Sequence, residues 1–344
     1  MKVKYLKIFG ALIAFSTTVY AVLAFTNCYL TPIYFDIPKG WPKPHYNFSK
    51  NPLTEEGFQL GRTLFYDPIL SKDNTISCSS CHLQQTGFTH VDHQLSHGID
   101  GEIGNRNSLS LQNLAWSKHF MWDGGINHID MQALAPITSK TEMGETLENV
   151  VSKLQKEQKY QYLFQKAYRV KKITGQLTLK ALSQFVISLT SANSKYDKVI
   201  RNEERFTDME QKGYTLFKQN CASCHIEPLF SNEKFKYNGL EIDATLNDFG
   251  RIKITQNPKD SLKFKVPTLR NIQFTFPYMH DGRFKTLNDV VKHYNSLKQS
   301  SILPKEITKP MNLSDNDRTD LVAFMKTLTD KEFLSNPRFS FPRE

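Results

Sequence analysis

Cysteine is scarce in this chain. There are five in 344 residues. Four fall in two short copies of one pattern, which leaves Cys28 without a partner, so a disulfide framework is excluded unless a bond forms between chains. Acid is missing from the first 30 residues, where Lys2, Lys4 and Lys7 stand alone. Strand signals are few. No Lys/Arg run is dense enough to argue for nucleic acid, although the net charge is +10. Scattered, solvated charge of that sign would steer an acidic protein partner.

Behind the three lysines lies the apolar stretch Ile8 to Phe25, "IFGALIAFSTTVYAVLAF". A basic region followed by an apolar one reads as a targeting segment over 1–35. Its 18 residues are also enough to span a bilayer. No clean A-x-A cleavage site follows, so an uncleaved membrane anchor competes with a removed signal peptide. The basic flank stays cytoplasmic, placing the body in the periplasm or otherwise outside that membrane. Cys28 as a lipidation site is poorly supported by the Phe25-Thr26-Asn27 before it. Residues 36–52, "DIPKGWPKPHYNFSKNP", read as an extended linker or arm, because proline blocks helix and extends its predecessor.

From there the pattern is mainly α. "TLKALSQFVISLTSANSKYDKVI" has apolar residues near helical period, and "SDNDRTDLVAFMKTLTD" opens on a Ser314 N-cap with acids in its first turn. A weak repeat relates "GRTLFYDPILSKDNTISCSSCH" to "GYTLFKQNCASCH". It predicts two related helical domains, 53–200 and 201–335, with the charged stretch Lys195–Glu210 at their boundary.

The repeat ends in C-x-x-C-H. On a helix, positions i, i+3 and i+4 share a face, so Cys78, Cys81 and His82 point one way, as do Cys221, Cys224 and His225. That is the arrangement for covalent c-type haem: two thioethers and a histidine ligand to iron. Zinc requires four ligands, which the two pairs together supply. A redox dithiol has no need of the histidine. Two histidines and an exported chain favour two haems c. The sixth ligand then decides whether each iron passes electrons or activates a small molecule.

Longer stretches carry a family resemblance: "LGRTLFYDPILSKDNTISCSSCH", "GNRNSLSLQNLAWSKHFMWDGG", "QALAPITSKTEMG" and "FKVPTLRNIQFTFPYMHDGRFKTLNDVVKHYN". Together they resemble the bacterial di-haem cytochrome c peroxidases and their MauG-like relatives. The resemblance implies two cytochrome c-like helical domains, each with one covalent haem, and Ca²⁺ at the interface. It implies reduction of hydrogen peroxide at the N-terminal haem, with electrons passed through the C-terminal one. The donor would be a small redox protein, such as a cytochrome or copper protein, or the quinol chain.

By the same resemblance His82 is the proximal ligand of the peroxidatic haem, and Gln132 and Glu142 form its distal pair. Heterolysis of a peroxide needs a proton moved from one oxygen to the other, which a positioned carboxyl can do as base and then acid. Trp122 is implied as an electron relay between the haems. Asn107, Thr275 and Pro277 are implied as calcium ligands, hard oxygens suited to that ion. At the second haem, where the standard peroxidases place methionine, this chain has Tyr294, the MauG-like variant. A phenolate favours ferric iron and lowers the potential. Met279 is close enough in sequence to serve instead, whereas His293 points about 100° away on a helix. His97 is either a gating ligand to the first iron or a solvent-exposed side chain, with His90 and His93 weaker candidates in its loop. Three functions follow: a peroxidase, a MauG-like oxidase of a protein or organic substrate, and a pure electron carrier. The Gln132/Glu142 pair disfavours the carrier.

Overall fold

The computed structural model describes residues 30–297, 303–307 and 311–342. The N-terminal targeting segment up to residue 29 and Cys28 lie outside the described residues. Among those described, no helix is long and apolar enough to cross a membrane.

Seven helices of ten or more residues make the frame. They are α1 (Glu55–Tyr66), α2 (Leu147–Lys156), α3 (Gln158–Tyr168), α4 (Gly175–Ile187), α5 (Asp208–Asn220), α6 (Leu287–Ser296) and α7 (Asp315–Lys326). Regular strand among the described residues is one antiparallel pair, β1 (Phe235–Lys236) and β2 (Phe264–Lys265). Six of the seven helices start on a Thr or Ser whose hydroxyl accepts from the N–H three residues on: Thr54, Thr146, Thr174, Thr207, Thr286 and Ser314. Each such cap contributes about 1 kcal/mol by satisfying an orphan amide. Thr207 with Glu210 and Ser314 with Asp317 close reciprocal capping boxes.

The repeated G-x-T-L-F is a helix–helix seam. In α1, a Cβ on Gly61 would stand 2.0 Å from the Ala181 carbonyl oxygen of α4. In α5, a Cβ on Gly213 would stand 1.9 Å from the Asp320 carbonyl oxygen of α7. No larger residue permits either crossing, and close approach buries the Leu and Phe that follow: Leu64, Phe65 and Phe217 are almost fully buried. Burial of each large apolar side chain stabilises by about 1.5–3 kcal/mol.

Two cores result. One gathers α1, α2, α3 and α4, and the other α5, α6 and α7. The C-terminal tail crosses back, and Phe333, Leu334 and Phe339 belong to the first core. So does the Pro-rich arm: Phe35, Trp41, Tyr46 and Phe48 pack on it, with Trp41 edge-on to Trp116 at 4.9 Å. The charged boundary stretch starting at Lys195 is packed into the fold at its beginning. Asp197 is buried and accepts two hydrogen bonds from the wholly buried Arg270, at 2.8 and 2.9 Å. A buried pair of this kind is costly to break, because either partner alone is an uncompensated charge.

Candidate functional site

Between the cores runs one cavity of about 780 Å³. Both C-x-x-C-H motifs open on it, and so do Gln132, Glu142, Trp122, Met279 and Tyr294.

The first motif is a single helical turn, as the spacing predicts, while the second is a turn outside any helix. Cys78–Cys81 makes four residues of helix, and His82 leaves it with φ −131°. The second follows the C-terminus of α5, closed by His225 N–H to the Cys221 carbonyl at 2.9 Å. One turn still brings both thiols and the imidazole to the same wall. Burial pushes the Cys78 thiol up to about 12 and the Cys81 thiol up to about 11, so both stay protonated. No disulfide joins either pair.

The histidines are held alike. His82 Nδ1 is 2.7 Å from the Phe88 carbonyl, and His225 Nδ1 is 3.0 Å from that of Phe230. A carbonyl can only accept, so Nδ1 carries the proton and Nε2 keeps its lone pair, as a metal-ligating imidazole requires. Burial lowers the His82 pKa to about 4, which keeps the ring neutral. Among the described residues, no three Cys, His, Asp or Glu side chains converge as a metal cluster. The two C-x-x-C pairs therefore do not form the shared four-cysteine site that zinc would need. Two thiols and one ligating imidazole at each end of a large cavity fit a c-type haem at each.

On the wall near the first motif, Glu142 sits in the turn after the short helix Leu134–Thr138. Burial alone raises its pKa. Among the described residues nothing hydrogen-bonds its carboxyl or the Gln132 amide, so both remain available to a ligand. Gly98 fixes this turn: a Cβ there would stand 2.3 Å from the Thr141 carbonyl oxygen and 2.5 Å from that of Glu142. His97, next to it, also lines the cavity. Its ring lies 4.1 Å from that of His93, which stacks on His90 at 5.2 Å.

At the second motif, Tyr294 on α6 faces the cysteines, and burial followed by the Cys221 and Cys224 thiols raises its phenol pKa. Its hydroxyl has no hydrogen bond among the described residues, unlike an ordinary buried structural tyrosine. The other two candidates are engaged with Asn238. His293 Nε2 donates to its carbonyl at 2.9 Å, and the Met279 sulfur accepts from its amide at 3.5 Å.

Trp122 is fastened from both sides. Its indole N–H donates to the Asn107 carbonyl at 2.8 Å, while its own carbonyl accepts from Lys265 N in β2 at 2.7 Å. Asn107 also donates its side-chain amide to the Gln94 carbonyl at 2.9 Å. The Asn107 Oδ1 and the carbonyls of Thr275 and Pro277 accept no hydrogen bond among the described residues. They are oxygens of the type Ca²⁺ prefers. Sequence reasoning missed the ion-pair network beside them. Arg106 donates to Asp123 at 2.6 Å and to Asp248 at 2.6 and 3.0 Å, bridging segments 142 residues apart. The "NRN" and "WDGG" motifs held two members, but only the fold brings Asp248 to them.

The sequence profile of the di-haem cytochrome c peroxidases matches residues 55–205, and that of cytochrome c matches 210–329. The chain is 33% identical to the methylamine utilization protein MauG of Methylorubrum extorquens, over 86% of this chain and 83% of that one. It is 33% identical to the cytochrome c peroxidase Ccp of Escherichia coli, over 81% of this chain and 59% of that one. A solved MauG-like protein associated with microbial copper homeostasis superposes with TM-score 0.82 at 32% identity, covering 90% of this chain and 99% of the other.

Proposed function

From the premise that this chain belongs to the di-haem cytochrome c peroxidase and MauG family, we propose that it reduces hydrogen peroxide at the site of Cys78, Cys81 and His82. The family implies an oxidoreductase with two covalent haems c. When bound, the haems supply redox iron, the first to meet peroxide and the second to pass electrons. Glu142 takes a proton from one peroxide oxygen and returns it to the other, and Gln132 orients the substrate. Trp122 bridges the two halves on the electron path. Asn107, Thr275 and Pro277 hold calcium beside it. Tyr294 closes the second site, in preference to Met279. The donor is a small redox protein or the quinol chain, met outside the cytoplasmic membrane.

The observation that carries this reading is the half-buried, unengaged Glu142 carboxyl, which lines the cavity together with Gln132 and the first motif. A pure electron carrier has no use for it. The free hydroxyl of Tyr294 favours a second reading, a MauG-like oxidase drawing electrons from a protein or organic substrate. An EPR spectrum of the resting ferric protein tests the proposal. A high-spin signal beside a low-spin one is expected. Two low-spin signals would point to His97 as a gating ligand, and a first haem that stays low-spin after the second alone is reduced would overturn the proposal.

A further inference from the structure

We propose that the exposed face of α3 and the turn after it docks on an anionic phospholipid surface. Residues 153–172 carry seven cations and one acid, Glu157, a net of +6 in a chain whose total is +10. Lys156, Lys159, Lys166, Arg169, Lys171 and Lys172 are all exposed. α3 buries Tyr160, Phe164 and Ala167, and turns Lys159, Tyr162 and Lys166 outward. Those three are spaced three and four apart, so they form one stripe. Tyr162 is 62% exposed, with the Lys166 ammonium 5.7 Å from its ring centre. Lys153 is committed to Glu145 at 3.0 Å, and Lys159 lies 3.9 Å from Asp67. Among the described residues no acid comes within ion-pair distance of Lys156, Lys166, Arg169, Lys171 or Lys172.

Where the chain enters this face selects a lipid surface over a soluble partner. Thr31 donates from its N–H and its hydroxyl to the Glu56 carboxylate on α1, both at 3.0 Å. Lys166 is among the charges acting on that same carboxylate. Leu30 stands five residues after Phe25, the end of the apolar stretch, so at most about 17 Å of chain separates them. Were Ile8 to Phe25 held in a bilayer, as the uncleaved-anchor reading has it, that bilayer would be tethered beside the basic stripe. Clustered Lys and Arg are drawn to anionic headgroups within a Debye length, about 8–10 Å at physiological salt. Tyr162 adds an aromatic ring of the kind that settles at a headgroup interface. An acidic protein would meet the same charge, but nothing ties it to this edge of the fold.

The test uses the full, haem-loaded chain mixed with vesicles of phosphatidylglycerol and phosphatidylethanolamine, or of phosphatidylcholine alone. Lysine acetylation is read by mass spectrometry. Lys159, Lys166, Lys171 and Lys172 are expected to react at least threefold more slowly on the anionic vesicles, while Lys212 and Lys326 on the second half do not change. The difference should vanish in about 0.5 M salt. It should also vanish at Lys159, the reporter that remains, in the variant K166E/K171E/K172E, whose unchanged haem content shows that the fold is intact. Equal labelling on both vesicles would overturn the proposal. So would protection that appears only when a small acidic cytochrome is added.

Discussion

In both halves a buried phenylalanine at positive φ, Phe88 at 60° and Phe230 at 54°, offers its carbonyl to the motif histidine. In both, a helix ending near the motif crosses a partner helix over a glycine. The cavity walls facing the two motifs differ. One presents an amide and a half-buried carboxyl, the other a phenol with its hydroxyl free. A duplicated module thus fixes the proximal side twice, and elements outside the repeat supply the difference. Binding and reactivity are written in separate parts of the chain.

The sharpest way to break this contrast is to remove one haem at a time. C78A/C81A should lower the pyridine haemochrome count from two haems to one and reduce peroxide turnover to background. C221A/C224A should also leave one haem, yet retain a ferric site that binds cyanide. If the second variant lost cyanide binding and the first kept it, the assignment of the halves would be reversed.

Next in size is Glu142→Ala, expected to slow peroxide cleavage by about two to four orders of magnitude in stopped-flow mixing. The sign of the pH effect follows from burial. The carboxyl acts first as a base, and its raised pKa places the loss of the carboxylate form above the ordinary range. Turnover should therefore fall as pH drops through that raised value, and the acid limb should disappear in the variant. Tyr294→Met should raise the midpoint potential of the second haem and leave the first unmoved, read by spectroelectrochemical titration. No shift there, together with a shift in Met279→Leu, would transfer the ligand to Met279.

The smallest effect tests the shared part. Gly61→Ala and Gly213→Ala each force a methyl against a backbone carbonyl and should destabilise by about 1–3 kcal/mol in denaturant titrations. If only one were destabilising, the two seams would not be equivalent.

Much of this was legible in the residues themselves. The repeat, the C-x-x-C-H spacing and the Ser314 cap each depend on neighbours within a few positions, and local chemistry decides them. The helical form holds for one turn at the first motif and gives way to a plain turn at the second, because i, i+3, i+4 proximity needs only one closed turn. What escaped was set by contacts far apart in sequence. Asp248 gives no sign that it will meet Arg106, and Phe339 none that it will join the first core. The charge of Lys195–Glu210 marked a domain boundary, but gave no sign that Asp197 would pair with Arg270, 73 residues away.

Trp122 hangs by its indole from Asn107, and its backbone carbonyl receives β2. Shear between the halves would therefore load the bond from β2 to the Trp122 carbonyl, while the indole holds the residue to Asn107. The residue behaves like a shear pin between the halves. Substitutions such as Arg106→Gln, made well away from either motif, would register there first.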